Sequence, residues 1–233
     1  MTRKLPPFLL ADIPLYAGFI QLYLRDTVLP LEESDRGVFI QDTKGVSYML
    51  AADDVETAAA WLDRHRDRRY DLMMAVGEDI AACVREMLGL TEMLEVYQAL
   101  YTKKEPPETE RHLRLVPAEP GDMGFIRQHY STLDDDELGQ IIRNRELYLA
   151  FDKDEPVGFI GQHLEGSMGL LEILPPYRRR GLGAELECLM IGKMLEQGLL
   201  PYCQFETGNL ASRRLQEKLG LTVVDKKRIV WLF

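Results

Sequence analysis

The chain is poor in the residues that build cross-links. It has only three cysteines in 233 residues, Cys83, Cys188 and Cys203, odd in number and far apart. That excludes a disulfide framework and the close ligand pairs of a zinc site, and it points to a reducing compartment. The four histidines, His65, His112, His129 and His163, show no i, i+4 pair. Spacing therefore offers no metal site, and no metal is expected. A long apolar run is also missing. Arg3 and Lys4 precede an apolar stretch, but Pro6, Pro7, Asp12 and Pro14 break it, and the uncharged run from Ile13 to Leu24 is too short to span a bilayer. A cytoplasmic chain with no membrane partner is expected. Positive charge is scarce too: Lys plus Arg is 28 against 38 for Asp plus Glu, a net charge of −10. Such a chain is repelled by nucleic acid and by anionic lipid, so neither is an expected partner without a local basic patch.

What is present is ordinary for a globular protein, with 46% hydrophobic and 28% charged residues. At roughly 150 residues per domain the length corresponds to about one and a half domains. The clearest break is Lys103-Lys104-Glu105-Pro106-Pro107-Glu108, where charge and two prolines can neither continue a helix nor pair as a central strand. The expected domains are 1–108 and 109–233. In the first, Val38–Ile40 and Tyr48–Ala51 read as strands and Asp54–Arg66 as a helix. Asp71–Val76, Glu78–Leu88 and Met93–Tyr101 then read as strand, helix and strand. In the second, a strand at Leu113–Val116 leads to helices at Met123–Tyr130 and Asp135–Arg145. A hairpin follows, with strands Leu147–Phe151 and Val157–His163 turning at 152–156, and then a strand at Met168–Leu174. A helix at Gly183–Gln197, a strand at Tyr202–Glu206, a helix at Asn209–Leu219 and strands over Val223–Phe233 complete the pattern.

An echo links the halves. Leu219-Gly220-Leu221-Thr222 repeats Leu88-Gly89-Leu90-Thr91, and the same offset pairs Gly208 with Gly77 and Glu217 with Glu86. The halves read as related folds, although helix-Gly-strand junctions also recur because glycine ends helices easily.

The segment that carries chemistry is Leu171-Glu172-Ile173-Leu174-Pro175-Pro176-Tyr177-Arg178-Arg179-Arg180-Gly181-Leu182-Gly183-Ala184. An apolar strand meets two prolines, then an arginine-glycine turn, then a helix with Leu186, Leu189, Met190 and Met194 at helical spacing. A helix start has unpaired backbone N–H groups and partial positive charge, so a pyrophosphate can accept from several donors at once. Gly181 and Gly183 let the backbone approach, and the three arginines supply the basic patch that the acidic composition otherwise lacks.

Arg178-x-x-Gly181-x-Gly183 resembles the acyl-CoA pyrophosphate loop of the GNAT superfamily of N-acetyltransferases. The strand Pro201-Tyr202-Cys203-Gln204, followed by Asn209-x-x-Ser212 and the Leu219-Gly220-Leu221 helix end, resembles the second cofactor segment of that superfamily. Within it, the chain looks most like the FR-47-like branch that contains the glycine acyltransferases, over about residues 112–233. The resemblance implies an α/β (α+β) GNAT fold, a mixed central sheet flanked by helices, with a degenerate GNAT-like N-terminal half. At the offset of the echo Arg178–Gly183 falls on Ser47–Ala52, which has neither glycine nor positive charge, so the first half would lack a cofactor loop. Asn209 also reads as a plain N-cap, with Ser212 in the first turn.

The activity implied is direct acyl transfer, with acetyl-CoA as co-substrate and a small-molecule amine or amino acid as acceptor, by a monomer or homodimer. Cofactor contacts are expected at Leu171, Ile173, Arg178, Arg179, Arg180, Gly181, Leu182, Gly183, Ala184, Asn209 and Ser212, with the oxyanion met by a backbone N–H in 171–173. The glycine acyltransferases have an acid at the position that counting places at Ser167, so this sequence departs from them there. Glu172 and then Glu165, on the same strand face as Ser167, are the candidate catalytic acids, with Ser167 on the substrate side. Gln216 stands where many relatives have the tyrosine that protonates the leaving thiolate. Its amide can hydrogen-bond but is not a useful proton donor. The alternatives are a non-catalytic CoA-binding sensor and a ligand-free interaction scaffold.

Overall fold

The computed structural model describes residues 4–109 and 112–233, and Arg3 lies outside them. Along the chain run α1 (Pro7–Leu10), α2 (Ala17–Leu24), β1 (Val28–Ser34), β2 (Gly37–Asp42), β3 (Tyr48–Ala52), α3 (Val55–Arg64), β4 (Met73–Val76), α4 (Glu78–Leu88) and β5 (Met93–Leu100). They are followed by β6 (Leu113–Pro117), α5 (Met123–Arg127), α6 (Asp135–Arg143), β7 (Leu147–Asp152), β8 (Glu155–Gln162), β9 (Met168–Ile173) and α7 (Leu182–Glu196). The chain ends with β10 (Tyr202–Glu206), α8 (Leu210–Leu219) and β11 (Thr222–Leu232). Most elements fall where periodicity puts them. The exceptions are α1, α2 and β1, which sequence patterning does not reveal. Every residue of α2 from Ala17 to Tyr23 is buried, so the helix has no polar stripe to mark a period of 3.6. β1 carries Pro30, which breaks a strand pattern and sits at a register shift between Pro30 and Glu32.

Two compact units form. One consists of residues 4–100 with Gln204–Glu217 and Leu221–Phe233; the other consists of Tyr101–Cys203 with Lys218–Gly220. The boundary expected near residue 108 thus lies within the second unit, and most of α8 and β11 belong with the first. The reason is strand exchange in sequence order: β11 enters between β4 and β5 and is antiparallel to both.

In the first unit β1, β2 and β3 form an antiparallel meander, and β3 then pairs in parallel with β4 through α3. Its core gathers Phe39, Leu50, Trp61, Leu62, Met73, Val84 and Leu232 between the sheet and the pair α3–α4. Trp61, Tyr16 and Tyr23 are core residues. A polar chain crosses the interior. Gln98, 1% exposed, donates to the carbonyls of Pro14 (2.6 Å) and Leu15 (2.8 Å) and accepts from Gln204 Nε2 at 3.0 Å. Trp231 Nε1 donates to Gln204 Oε1 at 2.7 Å, so β5, β10, β11 and the α1–α2 connection are joined by satisfied bonds.

In the second unit β6, β7, β8 and β9 are antiparallel neighbours, and β10 joins β9 in parallel at a single registered pair, Met168 opposite Cys203. α7 packs on β8 and β9. Its buried Glu185 accepts from the Leu113 N–H at 2.7 Å, which fastens the edge strand β6. The opposite face buries Ile126, Leu138, Ile141, Ile142, Phe159 and Leu170 beneath α5 and α6.

The two halves share an element order. β1-β2-β3-α3-β4-α4-β5 is matched by β7-β8-β9-α7-β10-α8-β11. The Leu-Gly echo marks the same device in both, a left-handed glycine after the helix, Gly89 at φ 69° and Gly220 at φ 81°.

Gln204→Leu is expected to cost about 1–3 kcal/mol in urea unfolding, because the buried Gln98 Oε1 and the partly buried Trp231 Nε1 lose their partner. A change below about 0.5 kcal/mol would show that the polar chain contributes nothing.

Candidate functional site

β9 does not run straight into the arginine-glycine loop. Its ladder with β8 pairs Gly161 with Gly169 and Phe159 with Glu172, so Leu170 and Leu171 together stand opposite Ile160. This is a β-bulge, and Leu170 takes a left-handed φ of 49° to make it. The extra residue interrupts the ladder at the place where an exposed N–H is expected, and it reverses the facing of Glu172 relative to simple alternation. Gly158 opposite is required: a Cβ there would overlap the Glu172 carbonyl oxygen.

Pro175–Tyr177 then form one 3-10 turn, and Arg178 turns back on the strand. Its Nε donates to the Ile173 carbonyl at 2.8 Å and its Nη2 to Glu172 Oε1 at 2.6 Å. The tie holds the loop against the end of β9. Arg179 (φ 63°) and Gly181 (φ 83°) are both left-handed, and the chain enters α7 with Gly181 as N-cap. The Gly181 carbonyl accepts from Ala184 at 3.0 Å and Glu185 at 3.2 Å, and no side chain caps the helix. The contrast with other helices is direct. Asp54 accepts from Thr57 N–H at 2.8 Å, Asp134 from Glu137 N–H at 2.8 Å, and Asn209 from Ser212 N–H at 3.0 Å. α7 alone among these four leaves its first amides without a side-chain acceptor.

An open depression of about 330 Å³ lies over this helix start, lined by Leu171, Glu172, Ile173, Tyr177, Arg178, Arg179, Gly181, Leu182 and Gly183. Seven of the expected cofactor residues therefore share one surface. Arg180 and Ala184 border it without lining it, and the Arg180 guanidinium lies 5.5 Å from the Tyr177 ring centroid. Asn209 and Ser212 belong to the first unit. Asn209 is exposed and occupied as the α8 cap, the plain reading of that residue. Gln216 is 3% exposed, and its Oε1 has no hydrogen-bond partner among the described residues.

The acid candidates are placed differently from expectation. Glu165 and Ser167 do not lie on a strand. They occupy a tight turn closed by His163 N–H to the Ser167 carbonyl (2.9 Å) and Gly166 N–H to the His163 carbonyl (2.8 Å), because β9 begins only at Met168. Ser167 Oγ donates to Glu165 Oε1, and Tyr202 Oη reaches the Glu165 carbonyl at 3.4 Å. Glu172 lines the depression, paired with Arg178.

Sequence reasoning missed two neighbours of that turn, Glu137 and His163. Glu137 projects from the first turn of α6. Burial raises its carboxyl above the usual range; His163 draws it back down, while Glu165 and Asp134 push it further up. His163 folds its ring over Gly169, where a Cβ would overlap imidazole Nε2 and Cδ2. The available signal was Gly169 itself, a glycine in a strand with no turn to explain it. Among the described residues no group of three or more His, Cys, Asp or Glu side chains could hold a metal ion, and no helix is long and apolar enough to cross a membrane.

Known proteins share this fold. Residues 148–231 match the family model described as FR47-like protein. A Drosophila protein of known structure superposes with a TM-score of 0.64 at 15% identity, over 95% of this chain and 88% of that one. A GCN5-related N-acetyltransferase from Kribbella flavida gives 0.56 at 16% identity, over 95% of each chain. An acetyltransferase of the GNAT family from Colwellia psychrerythraea gives 0.53 at 12% identity, over 95% of this chain and 96% of that one. No curated protein sequence matches the chain. The fold is that of the GNAT acetyltransferases, a mixed sheet flanked by helices.

Because the folded state raises the Glu137 pKa, it holds that proton more tightly than the unfolded chain, and ionisation above the ordinary value of 4.5 weakens folding. Glu137→Gln is expected to melt higher than the wild type at pH 7, with the difference vanishing below about pH 4. A variant that melts lower at pH 7 would contradict the assigned burial cost.

Proposed function

We propose that the chain is a cytoplasmic acyl-CoA-dependent N-acyltransferase that passes the acetyl group of acetyl-CoA to the amine of a small molecule or amino acid. The observation that carries this reading is the start of α7. Its first amides have no side-chain cap, its N-cap is a left-handed glycine, and three arginines adjoin it in a chain of net charge −10. That chemistry suits the diphosphate of CoA, which accepts from several N–H donors and draws on about half a unit of helix-end charge. Leu182 and Gly183 supply donors, and Arg179 and Arg180 supply charge. Arg178 acts mainly on the fold, since it is bound to Ile173 and Glu172. The bulge at Leu170–Leu171 supports an exposed N–H for the oxyanion that forms when an amine attacks a thioester. The family match over 148–231 includes both the bulge and the loop.

The first half is a degenerate copy without a cofactor loop. Its equivalent junction supports this: β3 and β4 are paired at three consecutive positions, Tyr48 to Leu50 against Met73 to Ala75, and α3 is closed by the Asp54 cap. A carboxylate at a helix start repels a diphosphate where Gly181 does not.

A second reading, a CoA-binding sensor without catalysis, is favoured by two observations. Glu172 is engaged by Arg178, and Gln216 stands in place of a proton donor. Thiols near pKa 8.5 leave without full protonation, so Gln216 does not exclude turnover.

CoA release over a panel of amino acids, polyamines and aminoglycosides separates the two readings: the enzyme turns over at least one amine, whereas the sensor binds acetyl-CoA and turns over none. Gly181→Asp places a side chain and a negative charge in the loop, and acetyl-CoA affinity by calorimetry is expected to fall at least about a hundredfold, the size of two lost charge-assisted contacts. Unchanged affinity would mean that the loop is wrongly assigned.

A further inference from the structure

We infer that His163 is the proton acceptor for the incoming amine, seated over Gly169. The inference rests on the acyltransferase reading above and assigns a role that neither the arginine-glycine loop nor the two expected carboxylates fill.

Both expected bases are engaged elsewhere: Glu172 accepts from Arg178 at 2.6 Å and Glu165 accepts from Ser167 Oγ. The imidazole lies instead on the strand. Gly169, the residue it covers, immediately precedes the bulge residues Leu170 and Leu171. At about 3.3 Å per residue, Gly169, the residue beneath the ring, is one or two residue steps, roughly 3–7 Å, from the backbone that would meet the thioester oxygen. Gly169 has no left-handed torsion and no turn to make, so its missing side chain serves to admit the ring. His163 and Glu137 are both only partly buried, so a small solute can reach them. Glu137 of α6 is close enough for the ring to draw its carboxyl down, Glu165 lies in the same turn as His163, and Tyr130 of the α5–α6 connection lies beside Glu137. Two carboxylates in this region suit the approach of an ammonium substrate.

An alkyl ammonium with pKa near 10 is about a thousandfold more abundant than its free amine at pH 7, so removal of one proton is the first requirement. His163 takes that proton, and the amine nitrogen then bonds to the thioester carbonyl carbon. As the C–S bond breaks, the remaining extra proton on nitrogen passes to the departing sulfur. The products are the amide and the CoA thiol, and His163 returns one proton to solvent, so atoms and charge balance. A positioned general base of this kind contributes about 10²–10⁴-fold.

Two variants test the assignment. His163→Gln removes the base. Gly169→Ala keeps His163 but pushes the end of a flexible side chain aside, with no backbone atom in its way. Acetyl-CoA affinity is measured first by calorimetry, then kcat/KM from pH 6 to 10 with the best amine of the panel. Both variants are expected to bind acetyl-CoA as the wild type does and to lose about a hundredfold or more in kcat/KM at pH 7. For His163→Gln the loss shrinks tenfold per pH unit up to the amine pKa, and the acid limb set by the enzyme disappears. If His163→Gln stays within twofold of the wild type with the same pH profile, the assignment is overturned while the acyltransferase reading stands. A wild type that binds acetyl-CoA but turns over no amine overturns the assignment and leaves the cofactor loop intact. A wild type that binds no acetyl-CoA removes both.

Discussion

A helix start must find acceptors for its first amides, and the candidate site is built on a helix start that has no side-chain cap. α3, α6 and α8 are each closed by an aspartate or asparagine side chain, whereas α7 begins at a left-handed glycine with no cap. A glycine N-cap forgoes only about a few tenths of a kcal/mol of helix stability relative to an aspartate or asparagine cap. The surrounding fold offsets that. α7 is fifteen residues long, buries Leu186, Met190, Ile191 and Met194, and ties the edge strand β6 through Glu185. Stability is thus drawn from the middle of the helix, and its first amides are left without a side-chain acceptor.

The strand that feeds the helix is shaped by the same requirement. The bulge at Leu170–Leu171 interrupts the β8–β9 ladder, Gly158 gives the distorted strand room, and Arg178 locks the loop to Ile173 and Glu172. These features turn a regular β–loop–α step into a rigid cradle. The first half shows the alternative outcome for the same order of elements, with three registered β3–β4 pairs and an aspartate cap. Related architecture leads there to a closed structural junction, because a carboxylate occupies the space that the second half keeps free.

Legibility in the sequence followed the range of the interactions involved. The loop, its helix and the glycine ends of α4 and α8 were readable because local spacing and backbone conformation determine them. α2 was not, since a helix buried on all sides carries no period, and β1 was hidden by Pro30. Strand exchange by β11 left no local mark, so the second unit was expected to include segments that pack with the first. At the site, the family resemblance puts the exposed N–H in 171–173, whereas the bulge occupies Leu170–Leu171. The Arg178–Glu172 pair and the ring of His163 over Gly169 depend on tertiary contacts that spacing does not encode. Strand alternation puts Glu165 on a strand face, but β9 begins only at Met168 and Glu165 sits in the turn before it.

The central claim, that the open start of α7 and the bulged end of β9 form the acyl-CoA cradle, is tested most directly by following backbone amide resonances while acetyl-CoA is added. The account predicts that the largest shifts fall on the amides of Gly181 to Ala184 and of Leu170 to Ile173, and that the amides of Asp54 to Thr57 at the capped start of α3 do not move. Equal shifts at α3, or no shift at Gly181 to Ala184 under saturating acetyl-CoA, would contradict it.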